Sequence, residues 1–240
     1  MQGKLTGVDI LSVTLQSDAF SHDTEALVDQ LMAFLIPGHE TTAAAMTWAI
    51  YLLAIHPEIQ EILRQEVRES LPSPAWGQAI TKHGIDRLPY LTAVCLEVLR
   101  CFPPAPLTAR VAIRDIRIGD VHIPAGSEVV LVPWAINKSE RLWGKDALHF
   151  NPRRWLTTVP ACSPTGDGGG EETEEKIRPL GGAVSKMSFL TFLHGPRSCI
   201  GQSLAKGEFR CLLAAWGGRF QMELHDPELG VYKNVKIGGG

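Results

Sequence analysis

A chain of 240 residues with 45% hydrophobic content is long enough to bury a sizeable core, as one large domain or two small ones. Its formal net charge of −3, with no basic run, excludes the electrostatic footprint of a nucleic-acid-binding protein. Five cysteines, an odd number with no Cys-x-x-Cys pair, argue against a disulfide framework or a zinc site and for a reducing compartment.

The opening Met1 to Asp9 is polar and short and reads as neither signal peptide nor anchor. From about Asp23 to His56 the pattern is helical, with Asp23 or Thr24 able to cap its start and Pro57 ending it. Pro37-Gly38 sits inside, so a kink or local unwinding is expected there. The longest uncharged part, Thr41 to Ile55, has 15 residues, short of the roughly 20 that a membrane-spanning helix needs. A second helix runs from Glu58 to about Glu69 and breaks at Pro72-Ser-Pro74. Leu91 to Arg100 is a third, stopped by Phe102-Pro-Pro104.

Short strand-like segments follow at Ala109 to Ile113, Ile116 to Ile118, Val121 to Ile123 and Glu128 to Val132. Gly119-Asp120 and Pro124-Ala-Gly126 supply turn chemistry, so a small antiparallel sheet is expected. Residues 162–186 turn polar, with a triple glycine and an acidic run, and read as a flexible surface insertion. A last helical run spans Cys199 to Trp216. The fold class is α+β: mainly α with a small antiparallel sheet and no repeats.

Chemistry concentrates in Phe192-Leu-His-Gly-Pro-Arg-Ser-Cys-Ile-Gly201. Cys199 stands between a Gly195-Pro196 turn and the helical run, where unpaired backbone N–H groups and the helix dipole favour a negatively charged sulfur. Arg197 adds a positive group, and Gly195 and Gly201 let backbone or a flat cofactor approach closely. The bland alternative is a buried structural cysteine at a helix cap.

Two further constellations stand out. Glu97 and Arg100, at i and i+3, share one face of an otherwise apolar helix, and Arg154 in Phe150-Asn-Pro-Arg-Arg-Trp155 can bridge the same carboxylate. A surface ion pair is the competing reading. In Pro37-Gly-His-Glu-Thr-Thr42, a hydroxyl at Thr41 and a carboxylate at Glu40 can bond and relay protons in an apolar pocket, or simply be a helical Thr pair with a solvated Glu.

The pattern Phe-x-x-Gly-x-Arg-x-Cys-x-Gly resembles the haem-binding loop of the cytochrome P-450 superfamily, the haem-thiolate monooxygenases. Five fixed residue types co-occur by accident in a chain this long only about once in 10,000 sequences. Glu97, Arg100 and Arg154 resemble the superfamily's structural Glu-x-x-Arg pair and Pro-x-Arg-aromatic segment. Arg153 and Trp155 depart from the residues frequent there, so the carry-over is to Arg154. Residues 37–42 resemble its oxygen-activation segment, with Pro37 departing from a usual small residue.

The resemblance implies haem as cofactor and Cys199 as the iron ligand. Arg110 and Arg197 would hold propionates, Phe192, Gly195 and Gly201 would line the haem loop, and Thr41 and Glu40 would serve oxygen activation. It implies insertion of one oxygen atom from dioxygen into a lipophilic substrate, with electrons from an NADPH-dependent reductase. A hydroperoxide-rearranging enzyme of the same fold, or a non-catalytic product unable to hold haem, are the alternatives. The expected organisation is a single partial domain over residues 1–240, the C-terminal half of a member whose full-length parent sits on the endoplasmic reticulum membrane at its cytosolic face. The anchor, the N-terminal half and the close of the terminal sheet after Val231-Tyr-Lys are expected to lie outside this chain.

Overall fold

The computed structural model describes residue 12 and residues 24–71, 80–160 and 173–225. Expectations that fall on Asp23, on the Pro72-Ser-Pro74 break and on the stretch after residue 225 lie outside these. The chain divides into two compact units, residues 1–43 and 44–240, each taken by itself below.

Helix α1, Thr24–Ile55, carries both a proline and a glycine yet runs unbroken through them. The local unwinding expected at Pro37-Gly38 therefore does not occur. Proline removes a single backbone donor, and the hydroxyls of Thr41 and Thr42 reach back to the carbonyls of Pro37 and Gly38 at 2.8 and 3.2 Å. From Thr24 to Thr41 no residue is buried, and Val28, Met32, Leu35 and Ile36 are large exposed apolar side chains.

The second unit holds the core. Its share of α1 contributes Ala45, Ala49, Leu52 and Leu53 at helical spacing. Helix α2, Pro57–Ser70, starts on a proline, whose missing N–H would be unpaired at that position anyway, and buries Ile59, Leu63 and Val67. After the single turn α3, Lys82–Asp86, comes α4, Pro89–Cys101, buried along most of its length. Its N-terminus is capped from another helix: the Glu66 carboxylate of α2 accepts from Tyr90 N at 2.8 Å and Leu91 N at 2.7 Å. Burial raises the Glu66 carboxyl above the usual range against the pull of these two bonds.

The last helix, α7, Gln202–Arg219, packs on α2, α3 and α4 through Phe209, Leu213 and Ala214. Its start lies three residues beyond the expected Cys199. Buried side chains of α2 receive its far end: Arg64 donates to Gly217 O and Phe220 O, and the Gln60 amide exchanges bonds with Met222. Carbonyls that a helix C-terminus leaves without partners are satisfied this way.

Strands β1, Thr108–Val111, and β4, Glu128–Leu131, pair antiparallel, as do β2, Ile116–Ile118, and β3, Val121–Ile123. One small sheet was the expectation; the described residues form three two-stranded ladders instead. The third joins β5, Leu156–Pro160, to β6, Thr173–Ile177, so part of the polar stretch 162–186 is a strand with mostly exposed side chains. Residues 161–172 are outside the description. Between β4 and β5 lie two short helices, α5, Pro133–Ile136, and α6, Glu140–Trp143.

Candidate functional site

Glu97 and Arg100 are the two largest charged side chains that are fully buried, and every contact of the pair is accounted for. Arg100 meets the carboxylate as a fork, with Nε to Oε2 and Nη2 to Oε1 both at 2.8 Å. Its remaining donors go to the carbonyls of Asn137, Ala147 and His149. Arg154 Nε bonds Glu97 Oε1 at 3.0 Å and its Nη2 bonds Asp146 at 2.8 Å, which helps hold the Asp146 carboxyl below its usual range against partial burial. The surface-pair alternative is thereby excluded. Two desolvated charges persist only with full hydrogen bonding, and here they have it.

Sequence reasoning missed two members of this network. The Trp155 indole N–H donates to Glu97 Oε2 at 2.8 Å, and the backbone N–H of Asn151 donates to Oε1 at 2.9 Å. Trp155 is one of the two residues, with Arg153, that depart from the family pattern, and its large ring carries a donor that the carboxylate uses. Gly181, at φ +55, lies so close to that ring that a Cβ would sit 2.6 Å from it, so both backbone and space require glycine there.

Asn137 connects this network to the cysteine loop. Fully buried, it gives its carbonyl to Arg100, donates through Nδ2 to Thr191 Oγ1 at 2.8 Å and accepts at Oδ1 from Leu190 N at 2.8 Å. Thr191 in turn donates to Leu99 O at 2.8 Å. The segment entering the loop is thus fixed from both sides.

The loop closes on itself. The N–H of Cys199 donates to Phe192 O at 2.9 Å, and Ser198 N donates to Gly195 O at 3.0 Å. Gly195 takes φ +76 with open space around it, so its conformation, and no lack of room, demands glycine. Leu193 holds φ +57, uncommon for a branched side chain and a local strain of the kind that functional loops retain. Cys199 is exposed, two residues ahead of the Gly201 cap of α7, which removes the alternative of a buried structural thiol. A Cβ at Gly201 would stand 4.0 Å from the sulfur, an ordinary contact, so glycine here keeps the flank of the sulfur clear.

Around this sulfur, Ile200 and Leu204 are 88% and 67% exposed, and Arg197 is exposed with no ion pair among the described residues. An accessible soft donor, an apolar flank and an unpaired guanidinium fit a planar apolar group that carries a thiophilic metal and an anionic edge. Haem has all three features.

The other candidate residues make local contacts. Arg110, on β1, keeps its hydrogen bonds within its own strand, to Thr108 Oγ1 at 3.0 Å and Ala109 O at 2.7 Å. Thr41 and Glu40 belong to the first unit; Glu40 is exposed, and the Thr41 hydroxyl proton lies on Pro37 O.

This helix-and-ladder architecture with an exposed cysteine ahead of its last helix has known relatives, and comparison gives the family. The sequence profile described as Cytochrome P450 matches residues 4–233, and the chain belongs to that family. It is 48% identical over 224 residues to cytochrome P450 monooxygenase sphH of Aspergillus fumigatus, covering 92% of this chain and 38% of that protein. It is 43% identical over 257 residues to cytochrome P450 monooxygenase FUM15 of Gibberella moniliformis, covering 98% and 43%. With cytochrome P450 monooxygenase ALT8 of Alternaria alternata it shares 45% over 235 residues, covering 91% and 39%. The chain spans about two fifths of the length of these relatives. Among the described residues no helix is long and apolar enough to cross a membrane.

Proposed function

We propose that this chain is the cysteine-bearing part of a haem-dependent monooxygenase that acts on a lipophilic organic substrate. The observation that carries this reading is the closed loop that presents an exposed Cys199 ahead of α7. Haem, when bound, supplies dioxygen activation, with one oxygen atom passing to the substrate and the other to water.

The chain's own residues have these roles. Cys199 gives its thiolate to the iron, and the Phe192 carbonyl fixes the cysteine backbone through its N–H. Arg197 and Arg110 pair with the two propionates. Gly195 and Gly201 keep bulk away from the ring beside the sulfur, and Phe192 packs against it. Glu40 passes protons inward through water. The Thr41 hydroxyl, donating to Pro37 O, keeps lone pairs that orient such a water. Glu97, Arg100 and Arg154 hold the framework behind the loop. Electrons come from an NADPH-dependent reductase, and the full-length parent works at the cytosolic face of the endoplasmic reticulum membrane.

A carbon monoxide difference spectrum of the reduced, haem-supplemented chain, beside Cys199→Ala, tests this. A strongly red-shifted Soret band that disappears in the variant is the expected result. No haem uptake, or a band indifferent to the substitution, overturns the reading for this chain.

A further inference from the structure

Next to the cysteine loop, but without Cys199, Arg197 or Gly201 in its walls, lies a cavity of about 190 Å³, partly open to solvent. Leu96 of α4 and the rings of Trp155, Phe189 and Phe192 form its apolar side. These rings brace one another: Trp155 and Phe189 meet edge to face at 5.5 Å, and Phe189 and Phe192 are tilted at 6.4 Å. The wall is therefore a set of rigid aromatic surfaces.

Lys206, on the second turn of α7, also lines it. Its ammonium lies 5.1 Å from the Phe192 ring centroid and 6.0 Å from that of Phe189, and it forms no ion pair among the described residues. Burial, and then the nearby Arg210, push this amine below the usual lysine range. A half-buried cation that has ring faces and no carboxylate beside it among the described residues is under-compensated, and an anion delivered into the cavity would correct that. Lys186 at the rim adds a second positive group.

We propose that this cavity binds a small aromatic carboxylate, its ring against Phe189, Phe192 and Trp155 and its carboxylate on the Lys206 ammonium. Size argues for one ring. A dry cavity of about 150 Å³ holds benzene, whereas drug-sized ligands need about 300 Å³ or more. The carboxylate follows from the unpaired ammonium, and the planar shape from the ring-lined wall. The site does not depend on the haem reading, because none of its binding groups is assigned to iron or propionates, although Phe192 is shared with the haem loop.

The test is calorimetric titration of the full chain with benzoate and, as neutral counterpart, benzyl alcohol. Saturable 1:1 binding of benzoate is expected, weakened about tenfold or more by Lys206→Met, largely retained by Lys206→Arg, and abolished by Leu180→Trp, which fills the cavity from its wall. Benzyl alcohol should bind more weakly and be indifferent to Lys206→Met. The proposal fails if benzoate does not saturate, if benzyl alcohol binds as tightly, or if binding survives Leu180→Trp. Should Lys206→Met not fold, the arginine variant, the alcohol and the cavity-filling variant still decide.

Discussion

The Glu97 network and the Cys199 loop are joined through Asn137, yet they are built on opposite terms. In the first, two fully buried charges have their donors and acceptors matched inside the protein, by Arg100, Arg154, Trp155 and four backbone groups. In the second, backbone bonds close the loop, while the Cys199 thiol and the Arg197 guanidinium have no hydrogen-bond or ion-pair partner among the described residues and the Ile200 and Leu204 side chains are exposed. Groups that hold a fold end their bonding within it; groups that meet a ligand are left open, and the closed region fixes where the open one stands.

The sharpest break of this contrast is Glu97→Ala. It strands Arg100, fully buried, with no anion beside it, and should cost about 3–5 kcal/mol. Urea unfolding followed by far-UV circular dichroism reads that loss. Next is Asn137→Ala, which removes both side-chain bonds to residues 190 and 191. A cost of about 1–3 kcal/mol is expected, together with altered amide shifts for residues 190–199 in NMR spectra, because the joint between lock and loop is cut.

Lys138 sharpens the comparison from the buried side. It lies 5% exposed, its Nζ over Trp134 at 4.0 Å and Phe102 at 4.9 Å, with no hydrogen-bond partner among the described residues. Burial pushes its ammonium down from 10.5 to about 8. The unfolded chain therefore keeps this proton to higher pH than the folded one, and stability should rise as pH climbs from about 8 towards 10.5. Lys138→Met should remove that rise and be more stable at pH 7 by about 1–2 kcal/mol, with ring attraction to the cation offsetting part of the burial cost. Unfolding of both proteins at pH 7 and pH 10 is the comparison to make.

The smallest effect is expected at the sulfur to which the proposed function assigns the iron. Cys199→Ala should change unfolding free energy by less than about 0.5 kcal/mol, since the side chain is exposed and its neighbours lose no packing. A change near 2 kcal/mol would mean that the thiol is a structural group after all.

What the sequence by itself determined is local. Helix and strand positions follow from periodicity, prolines and turn residues, and they fall within a few residues of the observed elements α1, α2, α4 and β1 to β4. The spacing of the loop marked Cys199, and the segment around Arg154 marked the partner of Glu97, because residue type and short-range order carry that chemistry. Tertiary structure decided what depends on approach from elsewhere in the chain. It drew the Trp155 indole and the Asn151 N–H onto Glu97, made Glu66 the cap of another helix, split the strands into separate ladders and assigned Asn137 to both lock and loop. It also carried α1 intact through Pro37, where one missing donor was too small a loss to unwind a helix of 32 residues. A buried acceptor takes whichever donors packing brings to it, and no pattern along one chain records which those will be.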